Sequence, residues 1–314
     1  MSKGKYKVGN WHHYNEGLKQ RGAITVWVCK DLLEQWRYGG KQKRGGQFLY
    51  SDTAIELCLV VGRVYHLPLR QTEGFMKSFF AQCQVPLPVP CYTQICRRSQ
   101  HLEVNIKTGR QKALSDIVVD ATGLKVYGEG EWKVRMHGWG KHRTWMKLAV
   151  ALDGESEQAL AIALTTNAVD DAATVKDLLG QLEGKINSFT GDGAYDKDKT
   201  RKALHQRALQ QQEDILQLIP PHCNAVADGK RRAYRCQRDD DIAMIKTLGT
   251  KEWKRVTHYH QRSKAETFMF RYKVILGGCL QAREINRQKT EVRVGGKILN
   301  MMLDIAKPKS EKVA

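Results

Sequence analysis

Three acidic residues in this chain stand where a purely structural role is hard to find for all of them at once. Asp120 interrupts the apolar run of SDIVVDATGL, Asp192 lies between two glycines in SFTGDGAYD, and Glu266 sits within YHQRSKAETFMFRYK, residues 259–273. An ionised carboxylate in a buried strand is costly unless it is paired or bound to metal. Read singly, Asp120 has an alternative as a hydrogen-bonded core aspartate. Asp192 has one as the aspartate of a D-G turn, and taken alone that is the better reading. Asp196 reads as the cap of the helix that follows it and is set aside. Together, three carboxylates offer oxygen-only donors of the kind a hard divalent ion prefers. Two such ions about 3.5–4 Å apart activate an attacking oxygen and stabilise a leaving one in a phosphoryl displacement.

The residues around Glu266 strengthen this chemistry. Tyr259, Arg262, Glu266 and Lys273 follow one another at gaps of three, four and seven. At about 100° per residue all four share one strip of a helix about 22 Å long. Ala265, Phe268, Tyr272, Ile275 and Leu276 fall on the opposite arc, ready to dock on a sheet. A solvated face with an i,i+4 Arg/Glu pair is the bland alternative, but it does not account for the other two acids. Arg262 offers a planar fork for phosphate and Lys273 a point charge. Tyr259 can donate to a phosphate or stack on a base. Phe270 lies on the wet side of the same helix with no evident core role.

These residues need elements to position them. SDIVVDATGL reads as a buried strand, and TWMKLAVAL and QALAIALTT as a hairpin turning at Asp153-Gly154. DDAATVKDLLGQL follows as a helix with two acids at its start, then INSFTGDGAY as a strand ending at Asp192. The helix DKDKTRKALHQRAL and the strand DILQLIP come next. KVYGEGEWKVRMHGWGKHR reads as an extended loop, and PPHCNAVADGKRRAYRCQRDDD as an irregular basic segment. Three antiparallel-type strands followed by alternating helix and strand describe an α/β fold with a ribonuclease H-like core, a mixed sheet with flanking helices. Ahead of it, SDTAIELCLVVGRVYHL, QTEGFMKSFFAQC and CYTQICRRSQHL predict three short helices, the pattern of a small DNA-binding module. The chain therefore divides into a helical DNA-binding region (1–110), a domain carrying the three acids (111–280) with a basic insertion around 220–250, and a basic helical C-terminal tail (281–314).

The charge balance points to the same kind of partner. Lys and Arg number 52 against 33 acids, a formal net charge of +19. Ten cations face three acids in residues 1–50 and fifteen face six in 251–314, so the excess is concentrated at the two ends. A polyanion, nucleic acid first, is the expected partner. Lys41, Lys43, Arg44, Arg97 and Arg98 are the candidate DNA contacts ahead of the core. The eight cysteines lack zinc-site spacing and are expected to be reduced, mostly buried thiols. No apolar run approaches the roughly 20 residues of a membrane span. The N-terminus MSKGKYKVGN has no apolar signal core, so a cytoplasmic location is expected.

The spacing Y-x2-R-x3-E-x6-K, filled by Tyr259, Arg262, Glu266 and Lys273, resembles the signature around the third acid of DDE transposases of bacterial insertion sequences. VVDATGLKVYGEGEW, TGDGAYD and the opening NWHHYNEGLKQRGAITVWV are similar to the corresponding contexts in the insertion-sequence 5 group. The likeness covers nearly the whole chain. It implies Asp120, Asp192 and Glu266 as catalytic metal ligands for Mg²⁺, with Mn²⁺ substituting. It also implies strand cleavage and 3′-hydroxyl strand transfer on double-stranded DNA, meaning terminal inverted repeats and target, by a homodimer or higher assembly in a bacterial, nucleoid-associated setting. A nuclease that cuts without joining and a non-catalytic DNA-binding regulator are the competing readings.

Overall fold

The computed structural model describes residues 6–41, 45, 47–107, 114–126, 145–228 and 232–312. The chain forms two units, one of residues 1–108 with 284–314 and the other of residues 109–283.

The first unit is helical. A two-stranded antiparallel ribbon joins its ends, β1 (Tyr6–Val8) against β8 (Ser310–Lys312). After α1 (Trp11–Gln20), α2 (Ile24–Trp27) and α3 (Lys30–Glu34) come the three expected helices, α4 (Asp52–Val64), α5 (Leu69–Gln82) and α6 (Tyr92–Arg98). Ser51 caps α4 by accepting from the Ala54 N–H at 3.1 Å, the arrangement its Ser-Asp start predicts. Trp36 is fully buried against Phe80, and its Nε1 donates to the Pro88 carbonyl at 2.6 Å. The sequence reading treats residues 281–314 as a tail. In the structure its 21-residue helix, which we label α12 (Ile285–Ile305), packs with α4 inside this unit.

The second unit holds a mixed sheet. β2 (Leu114–Val126) is central, flanked by β3 (Trp145–Asp153) and then β4 (Ala159–Thr166) on one side, and by β5 (Lys185–Thr190) and β6 (Leu216–Leu218) on the other. β3 runs antiparallel to both neighbours, while β2, β5 and β6 are parallel. This is the ribonuclease H-like order expected from the sequence. The β3–β4 hairpin turns at Asp153, whose N–H donates to the Gln158 carbonyl at 2.9 Å.

Both faces of β2 are covered at Ile117, Val118 and Val119. Ile117 and Val119 face a core completed by Val175, Leu178 and Leu179 of α7 (Asp171–Gln181) and Leu204 of α8 (Asp198–Gln211). Asp170 at the α7 N-cap and Asp171 in its first turn pair with Lys197 and Lys147, each at 2.8 Å. By alternation, Asp120 and Thr122 point to the opposite sheet face.

Three expectations are corrected. The segment read as irregular and basic starts α9 (Cys236–Leu248), which is followed by α10 (Thr250–Val256). Few of their apolar positions are buried (Ile242 and Trp253), and the charged run Arg238–Asp241 masks the helical period. Asp196 does not cap α8, where Lys197 holds that position; its carboxylate is 2% exposed and paired with Arg201 at 3.1 Å and Arg238 at 2.9 Å. The eight cysteines are free, but of them only Cys58 is buried, its thiol pushed up to about 12 by burial. Several others stand at element ends, such as the exposed Cys83 after α5 and the half-buried Cys91 before α6. The loop expected after β2 lies outside the described residues, apart from its first two positions. Among the described residues, no helix is long and apolar enough to cross a membrane.

Candidate active site

The register of the central strands brings the first two acids together. Val118 opposite Thr190 is the last pair between β2 and β5. Asp120 lies two residues beyond Val118, and Asp192 two residues beyond Thr190, so both emerge at the carboxyl end of the parallel pair. Open α/β sheets bind ligands in that region. β7 (Cys279–Leu280) joins β2 only farther on, at Lys125 and Val126.

Each acid is oriented locally. Asp120 Oδ1 accepts from the Ala121 N–H at 2.9 Å. Burial holds the Asp120 carboxyl above the ordinary carboxylate range; the Ala121 N–H and Arg262 oppose that shift, while the charges of Asp192 and Glu266 reinforce it. Asp192 Oδ1 accepts from the Ala194 N–H at 2.9 Å, capping a short 3-10 turn, Gly193–Tyr195. The turn role and the placement beside Asp120 therefore coexist in one residue.

Glu266 comes from the first turn of α11 (Ser263–Arg271). Ala265, Phe268 and Met269 bury one side of this helix, leaving Glu266 exposed on the other. Lys264 ties the helix to the β3–β4 turn by donating to the Gly154 carbonyl. Arg262 pairs with Glu266 and lies 3.7 Å from Asp120 Oδ2, so one guanidinium answers both carboxylates. Lys273 Nζ donates to Thr122 Oγ1 at 2.6 Å, on the sheet face that carries Asp120.

The single helix expected over residues 259–273 is three pieces. Tyr259–Arg262 is a 3-10 turn, α11 follows, and Tyr272–Leu276 forms a π turn that ends at Gly277, whose φ of 95° suits glycine alone. Arg262, Glu266 and Lys273 still reach the Asp120 face. Tyr259 does not share their exposure. It is buried, and its hydroxyl donates to the Gly191 carbonyl at 3.2 Å. Burial pushes this phenol up to about 12. The residue expected to face DNA is thus covered, its ring packed on that of Trp253 at 5.5 Å. Phe270 is 67% exposed, as its wet-side position requires.

The cations ahead of the core divide. Lys41 and Arg97 are exposed. Arg98 is engaged within its own unit, with Asp52 at 2.5 Å, the Tyr50 carbonyl at 3.0 Å and the Phe48 ring at 4.1 Å. Lys43 and Arg44 lie outside the described residues.

The donor set fits a hard divalent cation. It is all carboxylate oxygen, and the charges of Asp192 and Glu266 favour a positive charge beside Asp120, with the Arg262 guanidinium as counter-cation. Among the described residues, no three His, Cys, Asp or Glu side chains already converge as a closed metal cage. Asp120 and Glu266 instead share Arg262. Sequence reasoning missed the supports of the site: Thr122 under Lys273, Gly191 under Tyr259, and Trp253, whose Nε1 donates to Asp241 at 2.8 Å. No spacing rule links residues that meet only through the fold.

Two family models, both described as "Transposase DDE domain", match this chain, one over residues 19–129 and the other over residues 111–303. Among solved structures, a piggyBac transposase synaptic complex with hairpin DNA is similar at 12% identity and a TM-score of 0.39, covering 92% of this chain and 74% of that one. A Drosophila P element transposase strand transfer complex is similar at 11% identity and a TM-score of 0.33, covering 65% of this chain. This chain spans 48% of the P element chain, about half its length.

Proposed function

The chain belongs to the transposase DDE domain family, and on that premise we propose that it binds the terminal inverted repeats of its own insertion sequence, cuts there and joins the freed ends to target DNA. Asp120, Asp192 and Glu266 would hold the divalent ions, Mg²⁺ with Mn²⁺ substituting. When bound, such ions supply Lewis-acid stabilisation of charge on the phosphate.

Arg262 and Lys273 position the phosphodiester beside the acids, Arg262 through its fork and Lys273 as a point charge. Water breaks the bond at the element's end and leaves a 3′-hydroxyl. That hydroxyl then attacks a target phosphodiester, so one bond forms as another breaks and no nucleotide hydrolysis is needed. Recognition of the repeats belongs to the helical unit, with Lys41 and Arg97 among its exposed cations. Bringing two ends together calls for a homodimer or larger assembly on DNA.

The observation that carries this reading is the β2–β5 register. It sets Asp120 and Asp192 at the same strand end, within electrostatic reach of Glu266 and its partner Arg262. The test is to incubate the protein with DNA flanking its own gene, with and without Mg²⁺, and to map cuts and joints. Cuts at the element's ends and joined products, both requiring the ion, are expected. Cutting without joining would make the protein a nuclease, and binding with neither would make it a regulator.

A further inference from the structure

Between β6 and the third acid the chain inserts α9 and α10, which contribute nothing to the carboxylate set. Their apolar side chains do form a small core of their own, in which Trp253 packs with Leu218 and Tyr259 while Met244 and Ile245 lie against it. Trp253 is fully buried, stacks at a tilt on Tyr259 and donates its Nε1 proton to Asp241 at 2.8 Å.

This core lies against the residue that precedes Asp192. Both backbone groups of Gly191 are engaged: its N–H donates to the Leu218 carbonyl at 3.2 Å, and its carbonyl accepts from the Tyr259 hydroxyl at 3.2 Å. A Cβ at position 191 would come within 3.0 Å of the Tyr195 ring, so the backbone is also pressed against an aromatic face. Asp192 is the next residue, and its carboxylate inherits whatever position this grip imposes.

We propose that the α9–α10 insertion is a buttress for the second acid, with Tyr259 and Trp253 acting as positioning residues for Asp192; this rests on the reading of Asp192 as a metal ligand. Tyr259 acts through the Gly191 backbone and does not touch DNA. Its hydroxyl proton is already used, and its ring is covered by Trp253. Groups that orient a metal ligand from behind typically change metal affinity about 10–100-fold when removed. A ligand shift of about 1 Å is enough to slow chemistry about a hundredfold.

The test compares full-length wild type with Tyr259→Phe, which removes one hydroxyl and keeps the ring. Three quantities are read: Mn²⁺ affinity without DNA by electron paramagnetic resonance, affinity for the element-end DNA, and the Mg²⁺ concentration for half-maximal cleavage. The expected result is Mn²⁺ binding weakened about tenfold and a matching rise in the Mg²⁺ requirement, with DNA affinity within about twofold of wild type. If the thermal melt shows that Tyr259→Phe does not fold, Trp253→Phe carries the same comparison, since it keeps an aromatic ring beneath Tyr259 and removes the donor to Asp241. Unchanged metal affinity and Mg²⁺ dependence in a folded variant would overturn the buttress. So would a defect confined to DNA affinity, which would return Tyr259 to the DNA face. A wild-type protein that neither cuts nor binds Mn²⁺ rejects the parent reading and the buttress with it, whereas an active wild type with an indifferent Tyr259→Phe rejects the buttress alone.

Discussion

Arg262 answers two carboxylates at once, and that places it at the centre of any account by residue. If Asp120, Asp192 and Glu266 hold the ions, then Asp120→Asn, Asp192→Asn and Glu266→Gln should each abolish cleavage and joining and leave end binding nearly intact, because the acids place metal and do not grip DNA. Gel-shift and cleavage assays on the same preparations check this, and a variant that still cuts at a comparable rate in Mg²⁺ leaves the set. Arg262→Lys keeps the charge but loses the fork that spans Asp120 and Glu266, so joining should fall by about a hundredfold with little change in binding. Lys273 is different. It leans on neutral Thr122, and its charge stays available to a phosphate. Lys273→Ala should reduce the log–log salt slope of DNA binding by about 0.9, and an unchanged slope would remove it from the DNA path.

At the scale of elements, the second unit separates what the sequence displayed from what it concealed. β2 and the β3–β4 hairpin were legible because long apolar runs with a turn between them have few other solutions. The α7 and α8 helices were legible from their spacing. The α9–α10 insertion was concealed: its charges dominate the local pattern, and its small core is completed by Leu218 of β6 and by Tyr259 just past α10. Asp196 misled for a similar reason, since its partners Arg201 and Arg238 lie 5 and 42 residues away. This buried pairing joins the start of α8 to α9. Asp196→Ala leaves Arg201, itself 1% exposed, short of a carboxylate and should cost about 3–5 kcal/mol in denaturant unfolding; a loss below about 1 kcal/mol would mean that solvent reaches the pair. Asp241, on the same helix, should show itself in pH. Burial chiefly raises its carboxyl to about 6, against an unfolded value of 3.8. The folded state therefore holds this proton more tightly, and the stability it contributes is complete below about pH 4 and lost as pH rises through about 6. The melting temperature of Asp241→Asn should accordingly depend less on pH between 4 and 6 than that of wild type, and parallel profiles would contradict the shift.

The whole molecule is built so that the two ends of the chain share one unit, and this decides how its parts can be separated. Sequence reading assigned end recognition to residues 1–110 because the three helices and the basic run lie there. The structure adds α12 to that unit. Val292, Val294, Ile298, Leu299, Met302 and Leu303 of α12 are all buried. Thr290 donates to the Ser99 carbonyl at 2.7 Å, and Asn300 to the Ile106 carbonyl at 2.8 Å. Glu291 pairs with the buried Arg63 at 3.0 Å, and Lys297 pairs with Glu56. Each buried apolar side chain is worth about 1.5–3 kcal/mol, as an upper estimate, against a typical domain stability of about 5–15 kcal/mol. Losing α12 would also take from Arg63 its carboxylate partner Glu291. Residues 1–108 alone should therefore show no cooperative thermal transition and bind element-end DNA without selectivity. A chain joining residues 1–108 to 284–314 through a flexible Gly/Ser linker should melt cooperatively and recover selective binding of the inverted repeat over scrambled DNA. Circular dichroism melts and competition gel shifts on the two chains decide the matter. A cooperative melt of residues 1–108 at the temperature of the joined chain would show that the first unit does not need its C-terminal helix.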